Sequence, residues 1–143
     1  INSKTRFRVI GYMSGLPETL QNILKKIEDE TKIFNEFNLT VALNYSARNE
    51  VLHVINSIIS HRNRDCIEKV TWDDFRKFLY TSDLPDPDLI IRTSGEYRVS
   101  NFLTWQSTYS EFLFLDKYWP EFTERDVDDA IEYYNSRNRR IGK

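Results

Sequence analysis

Two arginines six residues apart, Arg92 and Arg98, bracket a loop that also carries Thr93, Ser94, Gly95, Glu96, Ser100 and Asn101. A guanidinium presents a planar fork of N–H donors that meets carboxylate or phosphate oxygens in pairs. Gly95, between the two, lets the chain fold back. Together with the Ser100 hydroxyl this set suits an anion with several oxygens, a phosphate or a diphosphate above all. Ser100 and Asn101 also fit the start of a helix, whose free backbone N–H groups would point at the same anion. Arg92 alone is as consistent with a solvated cation as with a ligand contact; the spacing to Arg98 and Ser100 makes the site.

The other chemistry-bearing residues are weaker signals. Glu111 precedes the apolar run FLFL, where a lone carboxylate reads as a surface charge at an element boundary. Glu96 is expected to orient Arg92 or Arg98 through an ion pair. Phe102 and Trp105 read as core, since aromatics at helical spacing usually pack, and Asn101 reads as a cap. His53 and His61 lie on or beside an apolar helix with no further ligand at metal spacing, so both read as structural or solvated, which argues against a zinc site. Cys66 has no activating base and no partner for an internal disulfide, which points to a reducing compartment. Neither G-x-G-x-x-G, G-x-x-x-x-G-K nor G-x-S-x-G occurs, which disfavours a nucleotide-binding module and a serine hydrolase.

A loop of this kind belongs beyond the carboxyl end of a strand in an open α/β sheet. Leu89, Ile90 and Ile91, between Pro87 and the loop, supply that strand. The elements before it alternate: a strand over Arg6–Ile10, an amphipathic helix from Pro17 to Phe34, and a strand over Leu39–Leu43. The turn Asn44–Ala47 leads into an apolar helix from Arg48 to His61, expected to be widely buried. Thr71, followed by Asp73 and Asp74, caps a short helix. After the loop, Asn101–Tyr109 reads as a short helix and Phe112–Leu115 as a strand. Thr123 caps a last helix with Val127, Ala130, Ile131 and Tyr134 on its inner side. The order β-α-β-α-α-β-α-β-α predicts an α/β fold with a mostly parallel sheet flanked by helices.

Composition sets outer bounds. At 143 residues the chain is one domain or most of one. A net charge of -2 argues against a nucleic-acid partner, and no apolar run is long enough for a transmembrane span. The chain starts with Ile1, so the absence of a targeting segment carries little weight.

Residues Arg92-Thr93-Ser94-Gly95-Glu96-Tyr97-Arg98-Val99-Ser100-Asn101-Phe102, then Trp105-Gln106 and Tyr109-Ser110-Glu111, resemble the C-terminal signature of the cis-prenyltransferases, best known from the bacterial undecaprenyl diphosphate synthases. Trp119-Pro120-Glu121-Phe122 and Arg139-Arg140-Ile141-Gly142 are similar to that family's closing segments. Asn44-Tyr45-Ser46-Ala47-Arg48 resembles a block that usually reads Asn-Tyr-Gly-Gly-Arg. The resemblance runs collinearly from about Arg6 to the end.

The resemblance implies that Arg92, Arg98 and Ser100, with the backbone at Val99, hold the diphosphate of isopentenyl diphosphate. It places Glu111 on a position that coordinates Mg²⁺, an ion that takes one or two protein carboxylates and completes its shell with water and phosphate. It places Arg140 and Gly142 on a terminal arm that crosses a homodimer interface. The implied activity is elongation of an allylic diphosphate such as farnesyl diphosphate, in a cytoplasmic enzyme whose product invites peripheral membrane contact. The family's N-terminal block, with its metal-binding Asp and a Gly and Arg that grip the allylic diphosphate, has no match here, and Tyr12 replaces an Asp common after Gly11. The expectation is therefore that residues 1–143 are the C-terminal part of one cis-prenyltransferase domain, with its N-terminal part missing and the catalytic residues there, and inactive alone. The alternative is a non-catalytic accessory subunit of a heteromeric enzyme; the intact loop signature favours the catalytic reading.

Overall fold

A computed structural model describes residues 4–61 and 69–138. Cys66 and the arm residues Arg140 and Gly142 lie outside the described residues. The chain forms two compact units, Ile1–Leu84 and Pro85–Lys143.

In the first unit, β1 (Thr5–Ile10) and β2 (Phe37–Ala42) pair in parallel, in register from Thr5↔Phe37 to Ile10↔Ala42. The crossover is α1 (Glu18–Thr31), which starts directly after Pro17. Proline is tolerated there because the first helical N–H groups lack intrahelical partners anyway. Leu20, Leu24 and Ile27 form its inner stripe, and Glu28 and Thr31 continue it with polar groups. Glu28 Oε1 accepts from Val9 N–H at 2.8 Å and Thr31 Oγ1 from Phe7 N–H at 3.0 Å. These bonds satisfy backbone donors of β1 that β2 does not use.

At the carboxyl ends of these strands Gly11 has φ +126°, and a Cβ there would collide with the Leu43 carbonyl. Asn44 clasps the Gly11 turn, its Nδ2 donating to the Tyr12 carbonyl at 3.0 Å.

α2 (Ala47–His61) buries Ala47, Glu50, Val54 and Ile58 on one stripe. Val54, Ile58 and Leu79 form the local core, with Phe75 and Phe78 against it. The expectation of wide burial fails: Leu52, Ile55 and Ile59 are exposed, because only one face of α2 meets packing partners among the described residues. α3 (Trp72–Arg76) is capped as expected, Thr71 and Asp74 exchanging bonds at 3.2 Å in a capping box.

The second unit holds the parallel pair β3 (Leu89–Arg92) and β4 (Glu111–Phe114), joined in register from Leu89↔Glu111 to Arg92↔Phe114. The helix expected over 101–109 is absent. Ser100, Asn101 and Leu103 have φ of +47°, +66° and +42°, left-handed values that a right-handed helix cannot contain. Asn101 is therefore not a helix cap. The connection is a chain of turns that buries Gln106 and Ser107, and it leaves Phe102 and Trp105, expected in the core, exposed.

α4 (Glu124–Ser136) begins at the expected cap, Asp126 accepting from Thr123 N–H at 2.7 Å. Its inner side is carried by Ala130, Tyr133 and Tyr134; Val127 and Ile131 are exposed. Tyr133 donates to the Phe112 carbonyl and Tyr134 to Asp88 Oδ1, both at 3.0 Å, which fastens α4 to the strand pair. Two parallel strand pairs, the first joined through α1, together with the helices α2, α3 and α4 bear out the α/β class. No helix among the described residues is long and apolar enough to cross a membrane.

Candidate active site

Side chains alternate along a strand, so Ile90 and Arg92 share one face of the β3–β4 pair with their lateral neighbours Phe112 and Phe114. That face floors a cavity of about 210 Å³, which Ile91, Arg98, Val99 and Phe102 complete. The structure thus brings together Arg92, Arg98 and Val99 from the sequence-predicted set. The cavity is smaller than the roughly 300–1,000 Å³ of drug-sized ligand sites. It has room for a headgroup rather than a whole extended substrate. Its chemistry is divided: apolar and aromatic on the strand side, cationic on the loop side.

Arg92 is half-buried, and its Nε is fully enclosed with no hydrogen-bond partner among the described residues. Leaving a buried N–H unpaired costs about 1–3 kcal/mol, so such groups are exceptional and often await a ligand. Arg98 is the opposite case, 64% exposed in its side chain and ion-paired with Glu96. Glu96 therefore takes the expected orienting role, toward Arg98. Ser100 is exposed at φ +47° and is not among the residues that line the cavity.

Between the arginines the loop reverses through Ser94 at φ +70° and Gly95 at φ +65°. The amides of Ser94 and Gly95 are spent on the end of β4, donating to the carbonyls of Lys117 and Leu115 at 2.8 and 3.0 Å. They hold the loop and are not free for an anion. Tyr97 leans on Phe114 and donates to Asp116 Oδ1 at 2.9 Å, a bond that holds its phenol above the ordinary range.

Glu111 stands elsewhere. It pairs with Leu89 at the amino end of β4, three residue pairs from Arg92↔Phe114, or about 10 Å at some 3.3 Å per residue. By alternation it faces away from Ile90, Arg92, Phe112 and Phe114. Its Oε2 accepts from Arg137 Nε at 2.9 Å, a bond that raises the Arg137 pKa. Among the described residues no group of three or more His, Cys, Asp or Glu side chains could hold a metal. A Mg²⁺ shared between Glu111 and an anion on Arg92 of the same copy does not fit this arrangement.

The first unit has a larger cavity, about 620 Å³, lined by Tyr12, Asn49, Leu52, His53, Asn56, Ser57, Ser60 and Tyr80. Among the described residues its lining includes no Arg, Lys, Asp or Glu, so size alone does not make it the anion site. His53 is stacked on Tyr80 at 4.8 Å between ring centroids, consistent with a structural role. The same unit holds a residue that sequence reasoning missed. Glu50 is wholly buried, and its carboxylate accepts from Tyr45 Oη at 2.7 Å and Tyr80 N–H at 2.8 Å. Its place on the stripe with Ala47, Val54 and Ile58 was the available signal, a charge at an apolar position.

A sequence profile of the undecaprenyl diphosphate synthase family matches residues 1–142. The chain belongs to that family. An isoprenyl transferase of Fusobacterium nucleatum is 48% identical over 142 residues, covering 99% of this chain and 60% of the relative. A tritrans,polycis-undecaprenyl-diphosphate synthase (geranylgeranyl-diphosphate specific) of Thermoplasma volcanium is 46% identical over 147 residues, covering 99% of this chain and 55% of its own length. Among solved structures, lavandulyl diphosphate synthase from Lavandula x intermedia, in complex with dimethylallyl diphosphate, superposes with a TM-score of 0.89 at 32% identity. The match covers 97% of this chain and 61% of that one. This member of the undecaprenyl diphosphate synthase family thus spans 55% to 60% of the length of these two curated relatives.

Proposed function

We propose that this chain carries the isopentenyl diphosphate site of a cis-prenyltransferase, its two units being parts of one such domain. The observation that carries the reading is the buried, unpartnered Nε of Arg92 at a cavity that Arg98 and Val99 help to close. Diphosphate oxygens would satisfy that donor, and the two guanidiniums would offset the headgroup charge before the reaction begins. The aromatic floor of Phe112 and Phe114 keeps water from one side of the anion and so strengthens its attraction to the arginines. Val99 is proposed to contribute its backbone and Ser100 its hydroxyl, the latter by approaching from the exposed rim.

In the whole reaction, the double bond of isopentenyl diphosphate attacks the allylic carbon of a substrate such as farnesyl diphosphate. The allylic C–O bond breaks, and the diphosphate leaves with its electron pair. Loss of a proton then gives a Z double bond in the lengthened chain. The role of these 143 residues is to bind and orient the attacking substrate. The homodimeric, cytoplasmic setting and the Mg²⁺ dependence belong to the same reading. Glu111, paired with Arg137 away from the cavity, does not reach a diphosphate held by Arg92 of the same copy.

The test is a calorimetric titration of the chain with isopentenyl diphosphate and, separately, with ATP, each with and without Mg²⁺. Preferential binding of isopentenyl diphosphate is expected, and it should be lost on Arg92→Met. Preference for ATP would remove the assignment. Turnover of farnesyl diphosphate is not expected from the 143 residues alone, since nothing in them matches the family's allylic block.

A further inference from the structure

Among the described residues, backbone anchoring of the arginine loop to the end of β4 extends to Gly95, whereas Arg98 and Val99 at the cavity come three and four residues later. Tyr97 spans that interval. Its hydroxyl donates to Asp116 Oδ1 at 2.9 Å, and its ring packs on Phe114 with centroids 5.3 Å apart. Asp116 lies two residues beyond Phe114, the last residue of β4, beside the Leu115 and Lys117 carbonyls that accept from Gly95 and Ser94. The side-chain bond therefore extends the backbone anchorage by two residues, to the immediate neighbour of Arg98.

We propose that Tyr97 and Asp116 are positioning residues: their hydrogen bond latches residues 96–99 against β4, so that Arg98 meets an incoming diphosphate already placed. Neither residue is assigned a contact with the ligand. The inference rests on the reading of the Arg92–Arg98 cavity as the isopentenyl diphosphate site. The physical gain lies in the ordering cost that binding would otherwise have to meet, since a flexible loop and a long Arg side chain lose conformational freedom when they close on an anion. Tyr97 is exposed, and water competes for its hydroxyl, so the effect is modest.

The experiment compares Tyr97→Phe, Asp116→Ala, Asp116→Asn and the double variant Tyr97→Phe/Asp116→Ala with the unaltered full chain, by titration with isopentenyl diphosphate. Tyr97→Phe and Asp116→Ala should each weaken binding about fivefold, with the double variant no weaker than either, because a single bond is lost only once. Asp116→Asn keeps an acceptor oxygen and should stay within about twofold. Amide hydrogen exchange over residues 96–99, measured without ligand, should quicken in Tyr97→Phe and Asp116→Ala and not in Asp116→Asn, while the thermal midpoint barely moves. Additive losses, or unchanged exchange and affinity in Tyr97→Phe, would overturn the latch. Arg92→Met separates the two claims. If it weakens binding about 10- to 100-fold while Tyr97→Phe does nothing, only the latch falls; if it binds normally, the cavity reading and the latch fall together.

Discussion

Replacing Arg92 with Met should move stability and binding in opposite directions. The side chain occupies its place at a cost, because a buried N–H without a partner forfeits about 1–3 kcal/mol. Met retains a long flexible apolar stem of similar reach and carries no donor. The part of Arg92 that remains solvated limits the gain, so a net stabilisation of about 1 kcal/mol is expected, equivalent to a rise in Tm of about 4 °C. The same change removes charge-assisted bonds to a diphosphate that are together worth about 1.5–3 kcal/mol. Affinity for isopentenyl diphosphate should therefore fall about 10- to 100-fold. Urea unfolding followed by tryptophan fluorescence gives the first quantity, with Trp105 and Trp119 reporting on the unit that contains the site. Calorimetric titration gives the second. Destabilisation by Arg92→Met of 1 kcal/mol or more would show that the guanidinium serves the fold, and the argument from its unpaired Nε would collapse.

Glu50→Ala should destabilise the first unit by about 3 kcal/mol, since it removes a wholly buried acceptor from the Tyr80 N–H and the Tyr45 hydroxyl. Glu50→Gln keeps an acceptor and should cost less than half as much, as equilibrium urea unfolding would show. The bond from Lys117, with those from Thr123, holds Asp126 down at about 2 against an ordinary value of 3.8. A depressed carboxylate contributes its stability in full above the unfolded value and loses it as the pH falls through the folded one. Unfolding of wild type and Asp126→Asn should thus differ by a constant amount from neutral pH down to about 4, with the difference vanishing as the pH approaches 2; a difference that persists there would contradict the assignment. Gly11→Ala should cost about 3 kcal/mol or more, because a left-handed φ coincides with collision against the Leu43 carbonyl. Gly95→Ala, at φ +65° with only Asp116 Oδ1 3.4 Å away, should cost about 1 kcal/mol, both glycine variants being measured by equilibrium urea unfolding.

What the amino-acid order settled by itself were features whose physics spans a few residues. Thr71 with Asp74 and Thr123 with Asp126 form the capping boxes at α3 and α4, because a cap is made by groups three residues apart. The branched run at Leu89–Ile91 became β3, and the Arg92–Arg98 loop followed it at its carboxyl end. The motif spacing also pointed to the family that the comparisons then showed. Tertiary structure decided everything that depends on a partner distant in the chain. Ser100, Asn101 and Leu103 are driven into left-handed backbone, so the expected helix gave way to turns with Gln106 and Ser107 inside. Strand register sent Glu111 to the end opposite Arg92, although loop and carboxylate are near neighbours in sequence. The burial of Glu50 depends on Tyr80, thirty residues away, and the tie between Tyr97 and Asp116 on a separation of nineteen. Local propensity carries no information about such meetings: they are fixed by which faces pack and in which register, and that is also what leaves Arg92 with a buried donor unmatched among the described residues.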